Sequence, residues 1–82
     1  MSDTELTLRD LAPGARARIL RIRPRSPLRK RLIEMGFLPG SEIEKLKVAP
    51  LADPAEYLLK GYHVSLRGEE AADILLAEIV AQ

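Results

Sequence analysis

The sequence lacks cysteine and tryptophan altogether, and it contains one histidine, His63. The absence of cysteine excludes disulfide bridges and thiolate metal sites. A single histidine also excludes a histidine-rich metal cage built by one chain. No apolar run approaches the roughly 18–20 residues of a membrane-spanning helix, and the first residues, Met1–Glu5, are acidic where a secretory signal peptide would be basic. We therefore expect a soluble, cytoplasmic protein.

The chain nevertheless contains enough apolar residues for one small core. Apolar residues make up 46% of the 82 residues, and aromatic residues make up only 4% of the chain. Because domains mostly span about 50 to 200 residues, we predict a single domain over residues 1–82, with residues 1–5 as a flexible N-terminal tail. There is no glycine-rich phosphate loop, and the carboxylates are scattered. We therefore predict that the protein is not an enzyme, acts on no small-molecule substrate and requires no cofactor.

The small net charge of +1 conceals a separation of charge along the chain. Residues 1–41 hold nine basic and four acidic side chains, a net charge of +5, whereas residues 42–82 hold four basic and eight acidic ones, a net charge of −4. Eight of the basic residues fall between Arg16 and Arg31. Two interpretations remain open: a binding surface for an acidic partner, or solvated side chains that happen to cluster on one face.

One helix is marked at both of its ends. Ser26 suits the N-cap, and Pro27 suits the first helical position, where no N–H donor is needed. An apolar stripe at the spacing i, i+4, i+7 consists of Leu28, Leu32 and Met35. Gly36 is expected to end the helix in a left-handed conformation, with Phe37 folding back onto it. Pro39–Gly40 then predicts a turn.

The remaining pattern predicts short strands. The first covers residues 15–23, and a bulge near Ile19–Leu20 would let two apolar pairs face one core, Ala17 with Ile19 and Leu20 with Ile22. The second covers residues 42–48, followed by a proline-containing loop over residues 49–54.

A hairpin and a closing strand complete the predicted sheet. The hairpin turns at Lys60–Gly61, a register that pairs Leu59 with Tyr62, Tyr57 with Val64 and Leu58 with His63. A short helix at 68–73 and a last strand at 75–80 follow. These elements predict a mainly β fold with short helices: a small five-stranded β-barrel, closed or nearly closed, with one inserted α-helix and one short helical turn before the last strand.

Four segments, in this order and spacing, resemble the FeoA family of bacterial ferrous iron uptake. They are Leu8-x-x-Leu11-x-x-Gly14, Arg31-Leu32-x-Glu34-Met35-Gly36-Phe37-x-Pro39-Gly40, Ala49-Pro50-Leu51-x-Asp53-Pro54 and Gly61-Tyr62-x-Val64-Ser65-Leu66-Arg67-x-Glu69-Glu70-Ala71. The resemblance implies an SH3-like barrel with an inserted helix. It also implies a partner, the membrane GTP-binding iron transporter FeoB, and a role as a cytosolic accessory protein of iron uptake. Related domains occur in iron- and manganese-responsive repressors, so a detached regulatory module of such a repressor is the alternative.

The docking surface that we predict for this partner combines charge with an apolar tip. It consists of Arg25, Arg29, Lys30, Leu38 and Pro39. Apolar contact would supply affinity, while the cations steer and orient the partner. The alternative is that Leu38 and Pro39 only cap the barrel. Anionic lipid near the transporter could also meet the cations, which would make any membrane contact peripheral, and homo-oligomers remain open.

Metal ions and nucleic acid are two further kinds of ligand that the residues could bind. His63 and Glu56 would lie diagonally across the hairpin on its outer face, a pair that can hold iron or zinc weakly if a second molecule completes the site; an ordinary exposed histidine is the simpler interpretation. A nucleic-acid-binding barrel would interleave cations with exposed aromatic residues. The basic segment, from Arg16 to Arg31, contains no aromatic residue, which disfavours nucleic acid.

Overall fold

Over the residues that the structure describes, the fold is one antiparallel sheet with two short α-helices. The computed structural model describes residues 6–46 and 54–80. The strands and helices are β1 Arg16–Ile22, α1 Arg29–Met35, β2 Glu42–Lys45, β3 Ala55–Leu59, β4 Tyr62–Leu66, α2 Gly68–Ala71 and β5 Ile74–Val80, preceded by a 3-10 turn at Leu8–Asp10. The sheet order is β4-β3-β2-β1-β5. The mainly β class with an inserted helix is confirmed, whereas residues 47–53 of the predicted second strand and loop lie outside the described residues.

The β3–β4 hairpin has the register that its turn predicts. Leu59 pairs with Tyr62, Tyr57 with Val64 and Leu58 with His63. Lys60 and Gly61 both have positive φ, 52° and 88°, as a two-residue turn requires if it is to match the twist of the strands. Tyr57 and Val64 are buried, whereas His63 is exposed.

The expected irregularity in β1 is present, but one of its apolar residues faces solvent. The pairing of β1 with β5 shifts between Arg18 and Ile19 and again between Ile19 and Arg21. Leu20 is the extra residue at the second shift, because Ile19 pairs with Leu76 and Arg21 with Leu75. Its side chain is 48% exposed, so the prediction that Leu20 faces the core is wrong. A residue without a partner in the ladder is free to point outward.

The helix begins later than its capping pattern suggests. It starts at Arg29 with Leu28 as N-cap, and Ser26 instead closes a preceding turn, since its Oγ accepts a hydrogen bond from Leu28 N at 3.2 Å. The hydrogen bond predicted for the Ser26 side chain is therefore present, but the N-cap and the first helical residue are Leu28 and Arg29, two residues later than predicted. Leu28 has φ −102° and ψ 7°, a conformation outside the helical region.

The end of α1 follows the prediction. Gly36 has φ 107°, and its N–H donates to Ile33 O at 3.0 Å. Phe37 N then donates to Leu32 O at 3.0 Å, and the Phe37 side chain is fully buried. This reversal places the next residues on the surface. Pro39 and Gly40 form the expected turn, closed by a 3.0 Å hydrogen bond from Ser41 N to Leu38 O.

The core fills one face of the curved sheet. Its largest fully buried side chains are Tyr57, Phe37, Leu8, Leu11, Ile19, Leu32, Ile43, Leu59 and Ile74. Within the described ranges β4 and β5 do not pair with each other, so the sheet is an open form of the predicted barrel. Leu6 and Thr7 pair with β5 through a Thr7–Leu75 bridge and a 2.8 Å hydrogen bond from Leu76 N to Leu6 O.

Candidate docking surface

The first arginines of the basic segment are neutralised by the sheet itself. β1 lies between β2 and β5, which places Arg18 across from Glu42 on one side and Glu78 on the other. Arg18 lies 3.3 Å from a carboxylate oxygen of each, and Arg16 lies 3.9 Å from Glu42. These exposed pairs add little stability, on the order of 0–1 kcal/mol each. They do, however, remove two cations from the surface that a partner would meet.

Beyond Arg18 most of the cations lack such partners. Within residues 6–46 and 54–80, no ion pair is formed by Arg21, Arg25, Arg29, Lys30 or Arg31, and all five are exposed. Arg23 is different, because its Nε lies 3.8 Å from Asp73 Oδ1. For Arg21 the cause is the register: past the bulge, β1 faces the apolar start of β5, Ile74–Leu76, where the strand offers no carboxylate.

The apolar part of the predicted surface lies at the other end of α1. Leu38 is 39% exposed and Pro39 is exposed. The turn that carries them is attached to β1, since Gly40 N donates to Ile19 O at 2.7 Å and Ile19 N donates to Ser41 O at 2.9 Å. Leu20, the next residue of β1, therefore emerges beside this turn. The bulge expected near Ile19–Leu20 assigned Leu20 to the core, so the sequence pattern missed it as a surface residue.

The five predicted docking residues lie at the two ends of α1. Arg25 precedes the helix, Arg29 and Lys30 open it, and Leu38 and Pro39 follow its end. A helix of seven residues is about 10 Å long. All five therefore fall within the span of one protein interface of ordinary size. The structure adds Leu20 and Arg21 to the residues exposed in this region.

The predicted metal pair is placed as the hairpin register requires. Glu56 pairs with Ser65 and His63 with Leu58, so His63 and Glu56 are diagonal neighbours, and both are exposed. Among the described residues, no group of three or more histidine or carboxylate side chains is arranged to hold a metal ion. Two donors leave a tetrahedral ion half-coordinated, so one molecule alone offers an incomplete site.

Tyr62 has a structural role that the sequence pattern did not indicate. It is 47% exposed, yet its hydroxyl donates a hydrogen bond to Met35 O at the end of α1. This bond satisfies one of the carbonyls that a helix leaves without an internal partner. It also joins the β3–β4 hairpin to the helix that carries part of the predicted docking surface.

In the described part of the chain, no helix has both the length and the apolar character needed to cross a membrane.

A family model described as the FeoA domain matches residues 6–78. The chain belongs to the FeoA family. The match covers all the strands and helices except the end of β5.

Relatives and solved structures agree with this assignment. An Fe(2+) transport protein A/Fe(2+) transporter FeoB fusion protein of Porphyromonas gingivalis is 45% identical over 69 residues, which are 84% of this chain and 8% of that protein. The NMR structure of a FeoA-like protein from Clostridium acetobutylicum has a TM-score of 0.85 at 32% identity, covering 99% of this chain and 93% of that one.

A third comparison confirms the SH3-like character of the fold. Stenotrophomonas maltophilia FeoA, a prokaryotic SH3 domain protein crystallised with zinc, has a TM-score of 0.78 at 22% identity. It covers 88% of this chain and 89% of that one. At this identity the likeness shows the fold alone. The predicted SH3-like class is thereby confirmed.

Proposed function

We propose that this FeoA domain acts in the cytoplasm as an accessory of ferrous iron uptake, by contact with a FeoB-type transporter and not by catalysis. The observation that supports it is the fusion relative, in which a segment 45% identical to this chain shares one polypeptide with the transporter FeoB. A fusion holds two modules at high effective concentration, so that even a weak contact between them is populated. Such an arrangement is favoured when the two modules act through contact with each other.

The docking surface for this contact is Arg25, Arg29, Lys30, Leu38 and Pro39. Its cations form no ion pair within the described ranges, so they can attract an acidic face of the partner without first breaking an internal bridge. Unpaired cations of this kind raise the association rate and orient the encounter. Leu38, 39% exposed, would supply the apolar contact that slows dissociation.

Charge reversal tests the cationic half of this surface. The double substitution Arg29→Glu and Lys30→Glu should weaken binding to the purified cytosolic domain of FeoB about 30-fold, on the basis of about 1 kcal/mol per reversed charge. It should also lower iron uptake in cells. The matched control is Lys60→Glu with Arg67→Glu, which changes the net charge equally at two exposed residues of the β3–β4 region. Equal binding by both double variants would contradict the proposal.

A second pair of variants tests the apolar half. Leu38→Ser should speed dissociation from the transporter domain, whereas Ile79→Ser should not, although Ile79 is more exposed at 55%. If Leu38→Ser dissociates as slowly as the unchanged protein, Leu38 only covers the end of the core. The salt dependence of the association rate should fall in the charge-reversal variant and persist in Leu38→Ser.

Metal binding is proposed only as a surface event. His63 and Glu56 supply two donors, and a second molecule would have to complete the coordination. The fold relative from Stenotrophomonas maltophilia that was crystallised with zinc supports metal binding as a property of some barrels of this shape. Ferrous iron and zinc are the ions expected, bound weakly and with no effect on folding.

Nucleic acid remains the alternative partner for the cations, and the placement of the aromatic residues argues against it. Phe37 and Tyr57 are buried in the core, and the hydroxyl of the exposed Tyr62 is bound to α1. Few rings are therefore available for the stacking of bases, which is the usual support for single-stranded RNA binding. Tight RNA binding in a gel shift at physiological salt would overturn the proposed protein partner.

A further inference from the structure

A depression of about 330 Å³ lies at the end of β1, lined by Arg21, Arg23, Pro24 and Arg25. Arg21, Pro24 and Arg25 are exposed, and Arg23 is half-buried. The sequence contains no acidic residue between Arg16 and Ile33. Arg23 lies 3.8 Å from a carboxylate oxygen of Asp73, whereas Arg21 and Arg25 form no ion pair with the residues that the structure describes. The depression therefore keeps a net positive charge, supplied by Arg21 and Arg25.

Backbone bonds hold this group of residues in place. Arg23 N donates to Asp73 O at 2.8 Å, which ties the end of β1 to the residue before β5. Arg23 Nε lies 3.5 Å from Ala72 O, in addition to its contact with Asp73. Ser26 N donates to Arg23 O at 3.1 Å and closes a turn with Pro24 and Arg25 at its centre. Proline fixes φ at the second position of such a turn, so Arg25 leaves the backbone from a restrained position.

We propose that this depression binds a phosphate group. A guanidinium donates two parallel N–H bonds to anionic oxygens, and such charge-assisted bonds are about twice as strong as neutral ones. A phosphate presents oxygens in several directions, which suits two arginines reaching it from different points of the chain. A carboxylate presents its two oxygens in one plane and suits a single arginine better.

The phosphate could come from a membrane lipid headgroup or from free phosphate. Leu20, which is 48% exposed and adjacent to Arg21, would enter the interfacial layer of a bilayer if the source is a lipid. The inference does not depend on the transporter. Its experiments contain no transporter; of the two arginines that they alter, Arg25 also belongs to the proposed docking surface, whereas Arg21 does not.

The test compares two double variants in two assays. The site variant is Arg21→Gln with Arg25→Gln, and the control is Lys60→Gln with Arg67→Gln, which removes the same charge at two other exposed residues. The first assay measures sedimentation with vesicles of phosphatidylcholine and phosphatidylglycerol, against vesicles of phosphatidylcholine alone. The second titrates inorganic phosphate while following the side-chain Nε–H NMR signals of the arginines. Thermal unfolding shows whether each variant is folded.

The expected result is a loss specific to the site variant. Each basic residue near an anionic membrane adds a similar amount to the binding free energy, so the loss of two arginines should weaken vesicle binding about 30-fold. The control should change by much less. If only the vesicles bind, the source is a lipid headgroup; if inorganic phosphate also shifts the Arg21 and Arg25 signals, free phosphate is a ligand. Equal loss in both variants would reduce the effect to net charge and overturn the site, as would the absence of binding in both assays.

Discussion

The end of α1 offers the most direct test of the fold, because one glycine determines where the chain turns. Gly36 has φ 107°, a conformation that costs an L-residue about 1–2 kcal/mol. A Cβ added there would lie 3.4 Å from the Tyr62 hydroxyl and 3.7 Å from Leu59. These are ordinary contacts, so backbone strain is the main cost. We expect Gly36→Ala to destabilise the protein by about 1–2 kcal/mol. For a domain of this size that lowers Tm by about 4–16 °C.

The assay is urea and thermal unfolding followed by circular dichroism, with Gly61→Ala as the comparison. Gly61 also has a positive φ, 88°, but its added Cβ would meet nothing within 4 Å. Gly61→Ala should therefore cost backbone strain alone, and Gly36→Ala should cost at least as much. If Gly36→Ala leaves the unfolding free energy unchanged while Gly61→Ala lowers it, the helix does not end in the left-handed conformation. The placement of Leu38 and Pro39 would then need a different explanation.

Two further predictions concern the β3–β4 hairpin. Tyr62→Phe removes the hydrogen bond to Met35 O and should lower the free energy of unfolding by about 0.5–1.5 kcal/mol, measured by urea unfolding; no change would mean that the hairpin does not stabilise the end of the helix. His63→Ala should abolish weak zinc and ferrous ion binding in a calorimetric titration, with Glu56→Gln weakening it, whereas unchanged binding would remove both residues from the proposed metal site.

Local sequence signals predicted the features that depend on neighbouring residues. The turn at Lys60–Gly61 determines the whole hairpin register, since a two-residue turn leaves one way to pair the strands. Gly36 followed by Phe37 likewise determines the end of α1, because the left-handed residue and the buried ring act within one turn. In both places the interactions that decide the structure span a few residues.

Features that depend on distant residues could not be predicted in this way. The outward position of Leu20 results from two opposite register shifts against β5, a strand more than fifty residues away. A single bulge leaves the parity of the following residues ambiguous, and the chain resolves it with Ile22 buried and Leu20 exposed. The bond from Tyr62 to Met35 joins a hairpin to a helix, and no periodicity within either segment indicates it.

The same long-range pairing determines where the excess positive charge lies on the folded surface. As a central strand, β1 brings Arg16 and Arg18 against Glu42 and Glu78, so part of the positive half is balanced by the negative half within the fold. Beyond the bulge the facing residues are apolar, and the cations from Arg21 to Arg31 remain exposed except for Arg23. The net charges of +5 and −4 thus overstate the polarity of the folded surface. Any salt-dependent binding by this domain should therefore be sensitive to the exposed cations between Arg21 and Arg31 and insensitive to Arg16 and Arg18.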